Sequence, residues 1–571
     1  MFVVFEVIDG SGKTTISNRV AAALAQDGLT VKHLRAEGKF VSPVVEGLRE
    51  FGRNAQNLDL TWQAEFLLYV ARDVQLIHEA LVPALQTHDL VLADRFLYTP
   101  EVLGRHGRHL PESFTRPILS AAAGDLQPDL VILVDVDPAF ARARRKLRKL
   151  AEHQTKPPAR KGLSGVGLQQ RLRRGYLALA EEQSQRWVVL ENQDTLERSV
   201  ERAVELIRQA HRDGAAAAVA RFRSESAKAK PTTAALKTPA DALTAFLRVV
   251  DDVSAREPRV AAYLLGGMSG AHVDERRARS FEQAPDAVLA GLHDLTDTLS
   301  FELRRRGGAK HPAFPLRSLG LALQSEPGWR LWQELAPQAP AEALIALLGV
   351  DDERAWQARE RAFAAGPELA QVAVGSLAGL GHERAWQLRQ RLLDAHRQEL
   401  ATSYELSRVL AKSVTGLAGE RAWELRQSAR ALAPVAALAS LVGVTDAQSW
   451  QWRRELLRRA PKVAMATLRG LTDAEAWQMR AALAADCKEA LDGLQSVDAE
   501  EAWSLRESNA DVWPSTVAKS LGALADTPRG ARLVERLLAA YPGNVSLLKH
   551  AAAIALGLHR STVSPIPSLN E

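Results

Sequence analysis

The sequence predicts an α/β domain, a parallel sheet with helices on both faces, followed by an all-α solenoid of helical-hairpin repeats. Three observations carry this. Short apolar runs alternate with amphipathic stretches from residue 1 to about residue 210. The segment Gly10-Ser11-Gly12-Lys13-Thr14 separates the first apolar run from the first helical pattern. Beyond about residue 240 no strand pattern remains, and a tryptophan followed three positions later by an arginine recurs about every 27 residues.

Phe2–Phe5 reads as a short, fully buried strand, and a helical pattern runs on through Ala25. A glycine-containing turn in that context is a phosphate-binding loop. Gly10 and Gly12 let backbone N–H groups approach a polyphosphate, and the helix N-terminus adds partial positive charge. Lys13 is placed to reach the β- and γ-phosphates of ATP, and the Thr14 hydroxyl to hold Mg²⁺. The expected ATP contacts are Asp9, Gly10, Ser11, Gly12, Lys13, Thr14 and Thr15. Val7 stands where the usual pattern has its first glycine. A chance glycine turn is the competing reading, and the agreement of strand, loop and helix argues against it.

Further strands are expected at Thr30–His33, Leu90–Ala93, Leu130–Val134 and Trp187–Leu190, with helices such as Trp62–Thr87 between them and Leu196–Arg212 after the last. Ligands of such sheets sit at the carboxyl ends of the strands. Asp94-Arg95-Phe96 lies at one of these ends. The acid can face a metal, and the arginine can grip a second phosphate bidentately; a surface salt bridge is the plainer reading. A basic stretch from Arg142 to Lys161, containing Arg144, Arg145, Lys146 and Arg148, has the character of a flap that closes over a triphosphate. A solvated helix face followed by a flexible loop is its alternative. It lacks the interleaved aromatics of a nucleic-acid surface.

Together these residues resemble the thymidylate kinase family. The matching stretches are Phe5-Glu6 with Asp9 to Thr15, Leu67-Leu68-Tyr69, Asp94-Arg95-Phe96 with Thr99, Pro128-Asp129-Leu130, Val134 to Pro138, and Arg142-Ala143-Arg144. The likeness covers residues 1 to about 210. It implies a nucleoside monophosphate kinase that moves the ATP γ-phosphoryl group to the 5′-phosphate of dTMP, with ATP and Mg²⁺ bound and a homodimer formed through this domain. By the same likeness Asp9 contacts the nucleotide sugar, Asp94 belongs with Thr14 to the metal shell, and Arg95, Thr99 and an arginine near Arg72 hold the acceptor. Arg142 and Arg144 steady the transferring charge.

Departures accompany the likeness. The family's Arg-Glu-Pro-Gly appears as Arg35-Ala36-Glu37-Gly38. Asp73 occupies the place of the acceptor arginine, and Leu103-Gly104 that of the Tyr-Gln pair whose glutamine reads thymine. The flap lacks an Asp-Arg-x-Glu. Two readings therefore stand side by side. One is an active kinase with an appended array; the other is a catalytically degenerate ATP-binding switch or scaffold that signals through the repeats. Under the first, Lys13→Ala is expected to abolish turnover and leave folding intact.

The domain boundaries expected are 1–211, a linker over 212–239, the helical array over 240–560 and a disordered tail over 561–571. In the array, Trp356, Trp386, Trp423, Trp450, Trp477 and Trp503 each precede an arginine by three, and Phe301 with Arg304 and Trp329 with Trp332 look like degenerate copies. Gly349, Gly379, Gly416, Gly443, Gly470 and Ser496 lie seven positions before those tryptophans, where a left-handed cap ends the preceding helix. Asp351, Thr445 and Asp473 are expected to start the next helices. The tryptophan packs inward and the arginine bridges to a neighbouring turn; an insertion is expected between Trp386 and Trp423. Such an array suits an unidentified protein partner.

Composition narrows the class. With 73 Lys+Arg against 68 Asp+Glu the net charge is +5, which gives no argument for nucleic acid in a chain of 571 residues. One cysteine, Cys487, excludes an internal disulfide and a cysteine-rich metal site. No apolar run is long enough to span a bilayer, and the cytoplasm is expected.

Overall fold

The structure is a computed structural model. It describes the chain apart from residues 9, 35–41, 55–56, 58–59, 153–165, 193–194, 230–235, 294 and 561–571, and apart from the side chains at 53, 149–152, 166, 228–229 and 560. Two compact units are present, Met1–Thr233 and Ala234–Glu571.

The first unit is a five-stranded parallel sheet, β1 (Phe2–Glu6), β2 (Val31–His33), β3 (Leu90–Asp94), β4 (Leu130–Asp135) and β5 (Trp187–Glu191), in the order β2-β3-β1-β4-β5. Each strand lies where one was expected. β2, Val-Lys-His, carries little apolar sequence, while β1, β3, β4 and β5 run one residue past the expected end, because Glu6, Asp94, Asp135 and Glu191 still lie in the strands while ending the apolar pattern. The helices are α1 (Lys13–Gln26), α2 (Pro43–Arg53), α3 (Trp62–Leu76), α4 (Val82–Thr87), α5 (Tyr98–Val102), α6 (Glu112–Ala123), α7 (Pro138–Glu152), α8 (Val166–Glu182), α9 (Leu196–Asp213) and α10 (Ala215–Ala229). Ser42, Thr61 and Thr195 cap α2, α3 and α9 through their hydroxyls. The helical pattern at Trp62–Thr87 is one continuous run interrupted by a π turn, Ile77–Leu81. Pro83 has no N–H to give to the turn before it, so the ladder is already broken where the π turn sits. α10 falls in the stretch read as linker; it packs on α9 and β5 and buries Val219 and Phe222. Residues 230–235 of that stretch and the tail 561–571 lie outside the described residues.

Among the described residues of the second unit the regular structure is helical. α11 (Pro239–Ser254) opens it with a reciprocal Thr238/Asp241 capping box, and α12 (Pro258–Leu264) follows. Hairpins then repeat. The glycines at 349, 379, 416, 443 and 470 have φ between 70° and 80°, and Ser496 follows them into the left-handed region at 60°. Several of their N–H groups donate to the end of the next hairpin: Gly349 to Ser376 O (2.9 Å), Gly379 to Thr415 O (3.0 Å) and Gly416 to Ser440 O (3.0 Å). A Cβ at Gly443 would meet nothing within 4 Å, so Gly443→Ala isolates the conformational cost. It is expected to lower stability by about 1 kcal/mol in denaturant unfolding, with Ser496→Gly acting in the opposite direction. Two caps lie one residue later than expected, at Asp352 and Asp446, whose carboxylates reach the backbone N–H of Arg354 and Ser449 at 2.8 Å. Asp351 is turned instead to the indole N–H of Trp356 (2.8 Å). Asp473 takes the N-cap position without a side-chain bond.

The arginines go deeper than the tryptophans. Trp386 and Trp477 are only half-buried, whereas Arg359, Arg389, Arg426, Arg453, Arg480 and Arg506 are at most 1% exposed. Arg426 donates to Val414 O (2.8 Å), Leu417 O (2.6 Å) and the Ser440 hydroxyl (2.9 Å), with its guanidinium 5.1 Å from the Trp423 ring centre. The same reach, twelve residues back and fourteen forward, recurs at Arg304 and Arg506. At Arg389 the forward partner is Ser413, 24 residues on, so the expected insertion bulges between the two helices of its hairpin and leaves the bonding intact. Burial pulls the Arg426 guanidinium down to about 10, still charged at neutral pH. A second arginine two residues before several tryptophans bridges repeats: Arg384 pairs with Glu353 (2.8 Å) and covers the Trp356 ring, and Arg421 pairs with Glu383 (2.9 Å) and covers Trp386.

The array closes on itself. The second helices of the hairpins pack one on the next from α12 to the last helix, Val545–Ala555, which lies along α11. Lys549 Nζ donates to Gly266 O across this seam (2.7 Å). Beside it, burial and then Lys519 and Lys549 push the His550 imidazole down to about 3. A base depressed in the folded state contributes stability fully above its unfolded pKa and loses it on acidification. The seam is therefore expected to weaken by a few kcal/mol as pH falls from about 6.5 toward 3, read as faster amide exchange in α11 and Val545–Ala555.

Candidate active site

The register sets the site. Phe5 pairs with Asp94 across β1 and β3, so the loop leaving β1 and the acid ending β3 meet at one edge of the sheet. Gly10 and Gly12 adopt φ of 95° and 88°. A Cβ at Gly10 would lie 2.5 Å from Ala141 O, so α7 packs directly on the loop and excludes any side chain there. Gly12 is the N-cap of α1. Lys13 is buried in an ion pair with Asp94, and the Thr14 hydroxyl donates to Asp94 Oδ2 at 2.9 Å. Arg144 Nη1 donates to Ser11 O (3.2 Å), which brings the basic helix over the loop. Arg142 is half-buried on the same helix, and Thr15 is exposed on the first turn of α1. Asp9, and the flap over 153–165 with Lys156, Arg160 and Lys161, lie outside the described residues. Arg173 grips Asp135 bidentately (2.7 and 2.6 Å), tying α8 to the end of β4.

Arg95 sits next to Asp94 in a left-handed backbone conformation, φ 83°. Its Nη1 donates to Val7 O (3.1 Å), Thr99 Oγ1 (3.2 Å) and Tyr176 OH (3.3 Å). Arg72 is buried, paired with Asp73 through Nε at 2.7 Å, and lies over the Tyr69 ring. A small cavity beside Arg95 is lined by Asp73, Leu34, Leu76, Ala93 and Phe96. Among the described residues no cluster of three or more His, Cys, Asp or Glu could hold a metal by itself. A hydroxyl and a carboxylate in contact, Thr14 and Asp94, are the donor types that suit magnesium shared with phosphates.

A thymidylate kinase family model matches residues 5–203. The thymidylate kinase of Maridesulfovibrio salexigens is 31% identical over 195 residues, which is 34% of this chain and 89% of that protein. The chain belongs to the thymidylate kinase family. The thymidylate kinases of Geobacter sulfurreducens (33% over 196 residues, 34% of this chain and 91% of that protein) and Solidesulfovibrio magneticus (32% over 191 residues, 34% and 90%) match the same share. The helical array lies outside the family match. No helix among the described residues is long and apolar enough to cross a membrane.

Measured against this thymidylate kinase architecture, the departures have physical readings. Val7 has no positive φ and is buried, so the loop tolerates a side chain there. Asp73 is neutralised by Arg72. Leu103 and Gly104 fall in a second π turn, Leu103–Gly107, turned into the core, where a Cβ on Gly104 would come within 2.9 Å of Phe66. Tyr176 and Asn192 were not singled out from the sequence, and Glu6 was quoted there only within a matching stretch, with no role given to it. The Asn192 amide donates to Ser11 O and accepts from the Ser199 hydroxyl (3.0 Å), bracing the loop from β5. A carboxylate ending an apolar strand was the available signal for Glu6; an asparagine after β5 carries none.

Proposed function

We propose that the first domain is an ATP-dependent nucleoside monophosphate kinase, moving the γ-phosphoryl group to the 5′-phosphate of dTMP or a related nucleotide. The observation that carries this is the convergence of Lys13, Thr14, Asp94 and Arg95 at the carboxyl ends of β1 and β3. Backbone N–H groups of residues 10–15 take the ATP phosphates at the α1 N-terminus. Thr14 and Asp94 are the groups that would hold magnesium, which supplies charge neutralisation on the phosphates. Lys13 then leaves Asp94 for the phosphates, so neither buried charge is ever left alone. Arg95, with Thr99 against its guanidinium, holds the acceptor phosphate, and Arg142 and Arg144 close over the transferring group. Arg72, spent on Asp73, adds no net charge to this pocket.

The test is ADP release across deoxy- and ribonucleoside monophosphates. Absence of turnover with every acceptor, alongside tight ATP binding, would favour the switch reading, for which the Arg72–Asp73 pair and the buried Leu103–Gly104 speak. Exposed Val44, Phe51 and Leu67 on α2 and α3 support a homodimer through this domain, and Phe51→Glu is expected to give monomers in light scattering. The helical array serves an unidentified protein partner, and a cytoplasmic location suits the chemistry.

A further inference from the structure

Glu6 ends β1 with its side chain fully buried beneath the site. Its Oε1 accepts the backbone N–H of Phe96 (2.9 Å) and its Oε2 the Thr99 hydroxyl (3.0 Å), while Arg95 Nη1 lies 3.9 Å from Oε2. The first of these bonds is one of two that flank a strained residue. Arg95 N–H donates to Phe5 O (3.1 Å) and the next N–H goes to Glu6, so the left-handed turn at Arg95 is fixed from both sides. The side chain is fixed as well. Thr99 gives its one proton to Glu6, which leaves its oxygen to accept from Arg95, and Tyr176 OH lies 3.2 Å from that oxygen. Burial raises the Tyr176 phenol well above its ordinary range, so it stays a neutral hydroxyl.

We propose that Glu6, acting with Thr99 and Tyr176, is the positioning residue that sets the Arg95 guanidinium for the acceptor phosphate. This rests on the kinase reading above and adds to it residues that touch neither nucleotide. Glu6 does two jobs with one carboxylate: it holds the backbone that aims Arg95, and it polarises the hydroxyl that Arg95 leans on. Thr99, expected to touch the acceptor, belongs in this proposal to the support behind Arg95.

The test is steady-state kinetics on the full chain, with the monophosphate that the unaltered protein turns over best. Glu6→Gln is expected to raise the acceptor KM about tenfold, and Tyr176→Phe about threefold, with the ATP KM held within about twofold. Thr99→Val is expected to raise the acceptor KM and Thr99→Ser to recover most of that loss. A support of the fold alone would lower the melting temperature and leave the ratio of the two KM values alone; that result overturns the proposal. Because Glu6→Gln is a core change, Tyr176→Phe, which removes one oxygen, decides the matter if the first variant fails to fold. A chain that turns over no monophosphate defeats the kinase reading itself, whereas normal turnover with unmoved acceptor KM values in these variants defeats only the role given to Glu6.

Discussion

Lys13→Ala is expected to abolish phosphoryl transfer, by a factor of about 10³ or more in kcat, because the charge it brings to the transferring phosphate has no substitute at that place. The sequence alone suggests that such a variant folds as well as its parent. The buried Lys13–Asp94 pair argues otherwise. Taking away one member of such a pair leaves the other as an uncompensated buried charge, at a cost of about 3–5 kcal/mol, partly relieved if Asp94 takes up a proton. Lys13→Met with Asp94→Asn removes both charges together. That double variant is expected to unfold within about 1 kcal/mol of the parent in denaturant titration and to remain inactive. Turnover persisting in Lys13→Ala would end the assignment of the site.

Arg426→Met is expected to cost about 3–5 kcal/mol of stability, among the largest single effects in the array. Methionine fills much of the volume, yet Leu417 O and the Ser440 hydroxyl lose the guanidinium donor, and Val414 O and Ser440 O are each left with one backbone N–H, from Leu417 and Gly416. Arg426→Lys is expected to do little better, since one ammonium lacks the planar fork that reaches carbonyls on three separate turns. Tryptophan fluorescence during guanidinium unfolding measures both. A loss below about 1 kcal/mol would show that the repeats are held by apolar packing, with the arginine a passenger.

Much of this was legible in the chain. Four of the five strands were visible as apolar runs, and the phosphate-binding loop as glycines and a lysine between strand and helix. The period of tryptophan and arginine marked the hairpins, down to the serine that stands in for glycine at 496. What stayed hidden is relational. Nothing local in Lys13 or Asp94 announces that they neutralise each other, because they are far apart in sequence and meet only through the β1–β3 register. The depth of the arginines was also hidden: a charged residue reads as surface unless the carbonyls waiting for it, twelve residues back, are known to point inward. Arg72 and Asp73 look like a displaced ligand in the sequence and prove to be a self-neutralised pair in space.

The meeting of α11 with Val545–Ala555 makes the number of hairpins a fixed quantity. An open stack can gain or shed units at its end, but here removing one would leave a gap that every remaining joint must share by bending. Length can still drift where it leaves the circumference alone, as in the ten extra residues bulging ahead of Ser413. Evolution can therefore lengthen the rim of this ring freely, while its circumference changes only by rebuilding the whole.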